Sequence, residues 1–207
     1  MSRAPEQPKD PIRWCAALAL AFLLGCLPFL TVVTHPYFDE VHYLPAAREF
    51  LTLGTFINRE HPLVGKELIA LGIALFGDNP WGWRLLPTLF GTLALFAAMR
   101  ALWFGTQSRF ATLSYGVLVA TGFHLFIHAR IAMLDIFYLP FLCVAAWQFS
   151  GAIRQPEQFR WRLALWGIAL GVTMGAKWNA ITVAMLPGLV FFFARAAAGP
   201  RYVGVSR

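Results

Sequence analysis

Apolar residues gather along this chain in runs too long and continuous for the alternation of a half-buried strand. The first extends from Ile12 to Val33, and others fall at 84–104, 110–129, 131–150, 161–176 and 178–195. A helix needs about 20 apolar residues to cross the hydrocarbon of a bilayer. The pattern therefore predicts six spans, the last four arranged as two hairpins, with the final pair short. The first run is longer than a signal-peptide core, and no small-residue cleavage site follows it, so an uncleaved anchor is expected. Residues 34–83 form a long polar-flecked loop with two shorter helical segments, Tyr43 to Leu53 and Lys66 to Phe76. The second is apolar but too short to span and is expected in the membrane interface. Gly77-Asp78-Asn79-Pro80 is a turn signal that separates it from the next span. The predicted fold class is an all-α polytopic membrane protein, a helical bundle with a long outer loop.

Composition agrees. Of 207 residues, 58% are hydrophobic and only 13% charged, with a mean hydropathy of +0.60. A soluble domain of this size exposes too much surface to be that oily. The formal charge of +7 does not indicate a nucleic-acid partner, because the basic residues are scattered among the loops, where membrane topology accounts for them. With a cytoplasmic N-terminus, eleven of the seventeen basic residues fall on the inner side, as the positive-inside rule expects. The other six, Arg48, Arg59, Lys66, Arg84, Arg130 and Lys177, lie on the outer side. Tryptophans cluster near the predicted span ends, as in an aromatic belt. Cys15 and Cys26 are about 16 Å apart along one helix, too far to bridge.

The acids are less evenly spread. Six of the ten, Asp39, Glu40, Glu49, Glu60, Glu67 and Asp78, sit in the one outer loop. Asp39 and Glu40 follow the first span directly, with His42 close by. A carboxylate at a lipid-lined mouth can serve as a general base; alternatively the two acids begin the next helix, where the dipole favours them. In HPLVGKELIALG, residues 61–72, His61 and Lys66 are placed to grip a phosphate headgroup, or else Lys66 snorkels to the interface. In HARIAMLDIF, residues 128–137, Asp135 lies within an apolar span and requires a partner or an aqueous cavity. Arg130 and Asp135 stand about 140° apart around a continuous helix, so each is expected to point elsewhere. His124 and His128 share a face, too few ligands for a metal site. GAKWNA, residues 175–180, brings a second lysine, Lys177, to the same face.

Taken together, FDEVHYLPAA, HPLVGKELIALGIALFGDNPWGWRLLPTLFG, ARIAMLDIF and GAKWNA resemble the protein O-mannosyltransferase family, which has the GT-C glycosyltransferase fold. The match covers most of residues 37–180. It departs from the commoner family form, His-Pro-Pro, at His61-Pro62-Leu63. The resemblance implies transfer of mannose, with inversion, from a polyprenyl (dolichyl-type) phosphate to a Ser or Thr hydroxyl of a protein. It implies Asp39 as catalytic base and Glu40 as the neighbouring acid that helps place the acceptor. His61, Lys66, Arg130 and Lys177 would bind the donor phosphate, with His42 and Asp135 in support. No metal or other cofactor is expected, although Asp39, Glu40 and His42 include hard ligands that leave a metal-dependent relative open. The expected partners are the lipid-linked sugar, an acceptor protein and membrane lipid, with dimerisation open. The alanine-rich chain suggests a bacterial cytoplasmic membrane, with the site on its periplasmic or extracellular face.

Family members usually continue past the sixth span, so this chain is expected to be an N-terminal part with further spans missing. Within the fold, a transferase for another sugar or acceptor, such as aminoarabinose to lipid A, is the nearest alternative. Outside it stands a transporter or a non-catalytic scaffold. Polar residues gathered at one face, without paired broken helices, weigh against transport.

Overall fold

The first candidate transmembrane segment ends at Phe29, four residues short of the predicted boundary at Val33. In the computed structural model, which describes residues 8–55, 57–186, 189 and 193, α1 runs from Ile12 to Cys26 and closes in a short 3₁₀ turn, Leu27–Phe29. Pro28 has no N–H for a continuing ladder. The carbonyls of Leu30, Val33 and His35 instead accept from the Arg84 guanidinium.

The loop predicted over 34–83 folds as two helices, α2 (Glu40–Leu51) and α3 (Val64–Phe76), both starting earlier than the sequence pattern indicated. They pack on one another, and α3 packs on α4 (Pro80–Thr106). Gly77 ends α3 with φ +88°, a conformation that glycine adopts without steric cost. Asn79 then caps α4, its side chain accepting from Trp81 and Gly82 N–H, with Pro80 at the first helical position where a missing N–H costs nothing. This cap starts the helix four residues before the predicted 84–104. A side chain at Gly72 or Gly82 would collide with the opposing backbone, so α3 and α4 meet at near-contact of their main chains.

The predicted span 110–129 is not one helix. It breaks at Gly122, whose backbone is extended, into α5 (Arg109–Thr121) and α6 (Phe123–His128). A tight turn over 129–133 follows, and then α7 (Leu134–Arg154) and α8 (Phe159–Ala176) form an antiparallel pair. The chain is helical again over 180–186; most of the predicted span 178–195 lies outside the described residues. Among the described residues, three helical segments are long and apolar enough to cross a membrane, Ile12–Phe29, Pro80–Thr106 and Leu134–Arg154, fewer than the six predicted. α5 is too short, and α8 carries Arg160 and Arg162 in its first turn. α4 is the hub, flanked by α1, α3, α5 and α7. One end of the bundle gathers the loop helices, the 129–133 turn and the end of α8. The opposite end gathers the starts of α1, α5 and α8 and the ends of α4 and α7.

Candidate active site

Glu40 is fully buried, and both of its carboxylate oxygens are occupied. Oε1 accepts from Arg84 Nε at 2.8 Å and from the Ala132 N–H at 3.0 Å, and Oε2 accepts from Arg84 Nη2 at 2.7 Å and from the Tyr37 N–H at 3.3 Å. One buried carboxylate thus ties together α2, α4, the chain leaving α1 and the turn before α7. Buried charges persist when fully paired in this way. Arg84 also lies over the Tyr37 ring, 5.1 Å from its centroid. The geometry differs from the expectation for Glu40: the side chain is walled in and faces no space that an acceptor could enter.

Its neighbour is placed oppositely. Asp39 occupies the position before the first turn of α2, is half-buried, and makes no capping bond. Among the described residues its carboxylate takes part in no hydrogen bond or ion pair. The preceding residue, Phe38, holds a left-handed φ of 53°, an uncommon and mildly strained state for a bulky side chain. The strain sits between the Tyr37 N–H and the Glu40 side chain that accepts from it, so the buried anchor fixes the turn that presents Asp39.

Tyr43, one helical turn after Asp39, marks where the motif blocks meet. Its phenol is pushed up to about 12, first by burial and then by the charges of Asp39, Asp135 and Glu60. The His61 ring stands edge-on to it at 5.8 Å. Asp135 accepts from Lys177 through both oxygens at 2.6 Å, joining the start of α7 to the turn after α8. Trp178 Nε1 donates to the Glu60 carbonyl at 3.0 Å. A cavity of about 410 Å³ opens here, lined by Arg59, His61, Pro62, Val64, Gly175 and Trp178.

Lys66 neither snorkels nor faces this opening. It is fully buried, and its ammonium donates to the Asn58 and His61 carbonyls. Burial lowers its pKa, an effect partly offset by Glu60. Arg130 points away from Asp135, as the spacing indicated: Nε donates to the Phe126 carbonyl at 2.9 Å, and the guanidinium lies 4.0 Å from the Phe126 centroid and 5.3 Å from that of Phe29. His42 is exposed on the outer face of α2. His124 and His128 stack at 4.1 Å, and among the described residues no three His, Cys, Asp or Glu side chains are grouped to hold a metal. The structure thus brings Asp39, His61, Asp135 and Lys177 around Tyr43, with Glu40 as the anchor behind them. Sequence reasoning missed the roles of Arg84 and Tyr43. A signal existed for the first, an arginine at the mouth of an apolar run, which needs a buried partner.

At one end of this helical membrane bundle, the described residues place an unengaged carboxylate, Asp39, in the same region as several cations. Comparison with known sequences gives the class. Residues 76–196 match the family described as dolichyl-phosphate-mannose-protein mannosyltransferase, and the chain belongs to that family. It is 30% identical over 96% of its length to a polyprenol-phosphate-mannose–protein mannosyltransferase of Corynebacterium glutamicum, covering 45% of that protein. It is 32% identical over 88% of its length to the protein of the same name from Mycobacterium tuberculosis, covering 38% of it. A more distant similarity, 30% over 86% of the chain and 34% of the relative, is to an undecaprenyl phosphate-alpha-4-amino-4-deoxy-L-arabinose arabinosyl transferase of Pseudomonas fluorescens. The chain spans less than half the length of these curated relatives.

Proposed function

We propose that the protein carrying this chain transfers mannose from a polyprenyl-phosphate donor to a Ser or Thr hydroxyl of a protein. The observation that carries the reading is the contrast between the two adjacent acids: Glu40 is fully engaged, and Asp39 is held beside it with no side-chain partner among the described residues. A hydroxyl is a weak nucleophile until a base takes its proton during attack. In the proposed step the Asp39 carboxylate accepts the hydroxyl proton as the oxygen bonds to the anomeric carbon. The carbon–oxygen bond to the phosphate breaks on the opposite side, and the lipid phosphate leaves with the bonding electrons, so the configuration inverts. Glu40 is a positioning residue in this scheme.

The leaving phosphate gains charge, and fixed cations stabilise it. Lys177, held by Asp135, is the candidate that the geometry favours; Arg130, on its aromatic platform, is a second candidate carried by the family resemblance. His61, at the mouth of the cavity, is a further donor. Lys66 acts by fixing the 57–61 segment rather than by meeting the phosphate. Independence from divalent metal is part of the proposal, with chelator insensitivity as its check. So are a cytoplasmic N-terminus and a site on the outer face of a bacterial cytoplasmic membrane, supported by the excess of Lys and Arg at the opposite end of the bundle.

The test is transfer of labelled mannose from polyprenyl-phosphate-mannose to a Ser/Thr-rich peptide, in membranes expressing the complete gene product or its Asp39→Asn variant. Transfer that collapses in the variant at equal expression supports the reading. Absence of transfer with mannose, but activity with a 4-aminoarabinosyl donor and lipid A, would replace it with the reading that the more distant relatives suggest.

A further inference from the structure

At the end of the bundle opposite the acid-rich loop, two arginines share one aromatic ring. The guanidinium of Arg100, in α4, lies 5.3 Å from the Phe104 centroid, and that of Arg162, in α8, lies 4.9 Å from it. Both are buried, at 2% and 9% exposure. Arg100 has a carboxylate partner: Nη2 donates to Asp10 Oδ2 at 2.7 Å. Arg162 has none. Nη1 donates to the Gln148 amide oxygen at 3.0 Å and Nη2 to that of Gln155, while the Nε hydrogens of both arginines, and Trp147 Nε1 beside them, are buried without an acceptor. Glu157, one turn before Arg162, is exposed and makes no ion pair with it.

Among the described residues, two buried cations here have one contacting carboxylate, and the charge of Glu157 acts on Arg162 without a direct ion pair. A buried cation is costly unless an anion compensates it, and here two cations approach the same ring against a single carboxylate. Gly151 of α7 leaves the space in which the Arg162 guanidinium lies; a side chain there would collide with it. In front of the pair a cavity of about 500 Å³ is lined by Asp10, Trp103, Phe104, Gln107, Arg154 and Gln155. Arg154 stands at its edge, with Nε and Nη2 donating to the Phe104 and Gly105 carbonyls. Gln155 follows the end of α7 in non-helical backbone, so its side chain can swing aside without unwinding a helix. Lys9, Arg13, Arg109 and Arg160 carry further positive charge at this end.

We propose that this cavity is an anion site for a phosphate group, with the Gln155 amide oxygen standing where a phosphate oxygen would meet Arg162. The phosphate would be held by Arg162 and Arg154, as charge-assisted hydrogen bonds favour. It is separate from the acid-rich end, so the donor sugar-lipid reacting at Asp39 does not occupy it. A headgroup of an anionic membrane lipid and free inorganic phosphate share this chemistry.

The test uses the full protein in phosphatidylcholine nanodiscs. Phosphatidylglycerol is added as one probe and inorganic phosphate as the other, and the unfolding midpoint is read by tryptophan fluorescence. The site predicts that phosphatidylglycerol or phosphate raises the wild-type midpoint by about 4 °C or more, and that Arg154→Gln weakens the response. Gln155→Glu supplies a second contacting carboxylate from within. It should raise the midpoint in pure phosphatidylcholine and abolish the response, a readout independent of whether Arg162→Gln folds. Response to the lipid alone assigns the site to a headgroup, and equal response to phosphate assigns it to the free anion. Equal responses of wild type and Gln155→Glu, or no wild-type response to either probe, would overturn the site.

Discussion

Glu40 and Arg84, 44 residues apart in sequence, form a two-pronged ion pair with both side chains buried, at 2.8 and 2.7 Å. Removing one member of such a pair strands the other charge, which costs about 3–5 kcal/mol. Glu40→Ala should therefore lower the unfolding free energy in detergent by that order. Glu40→Ala combined with Arg84→Met should recover much of the loss, because no lone charge remains. A double variant no better than the single one would show that the pair contributes more than mutual neutralisation.

Asp39 behaves differently. With no side-chain hydrogen bond among the described residues to lose, Asp39→Asn should leave the melting midpoint within about 2 °C of wild type, an amount typical of surface changes. Transfer should fall by about 10²–10⁴-fold, the usual contribution of a general base. Parallel melting and transfer measurements check this, and a variant that loses both together would place Asp39 in the scaffold.

The Asp135–Lys177 pair is partly exposed, with side-chain exposures of 28% and 19%. Its coupling, measured by a double-mutant cycle on Asp135→Asn and Lys177→Gln, should be about 1 kcal/mol. Under the proposed mechanism, in which Lys177 meets the leaving phosphate, Lys177→Gln should also reduce turnover in the transfer assay.

Asp78 supplies a pH limb. Hydrogen bonds from Arg48 and from Trp83 Nε1 hold its carboxyl below the ordinary value of 3.8, against an opposing effect of burial. A carboxyl with a lowered folded pKa stabilises fully above its unfolded pKa, and the stabilisation is lost as pH falls through the folded value. Acid should therefore loosen the α3–α4 corner below about pH 4. Trp83 emission, in a background where it is the remaining tryptophan, should report the change, and Asp78→Asn should flatten that limb.

Lys66 gives the opposite limb. Burial lowers its pKa from 10.5, so between the folded and unfolded values the unfolded chain binds the extra proton. Stability contributed by this group thus rises with pH across that window. Lys66→Met should remove the alkaline rise in melting midpoint; a rise that persists unchanged would assign it to another group.

Much of the bundle was legible in the sequence because apolar length is read directly as a span, and the Asn79–Pro80 cap and the loop helices were signalled by their turn residues. What failed was continuity. Gly122 lies inside an apolar run whose composition does not reveal the break, and α1 closes at Pro28, where Arg84 of a distant helix collects the carbonyls beyond it. The candidate site was legible as a set of residue types but not as a division of labour. Asp39 and Glu40 read alike in sequence, and only the partner on α4 separates the free carboxylate from the buried one. Lys66 reads in sequence as a snorkelling or phosphate-binding lysine, and in the fold its ammonium donates to the Asn58 and His61 carbonyls.

The Glu40–Arg84 pair has a consequence for how this protein can vary. It fastens together the two roots of the segment between α1 and α4, and Arg48–Asp78 fastens them again one step further out. The residues between are thus an already closed ring. Lengthening a closed ring raises its closure entropy only slowly, by about 0.6 kcal/mol per doubling. Insertions near 52–57 can accordingly change the surface that the ring displays while the fastening, and the carboxylate mounted on it, stay where they are.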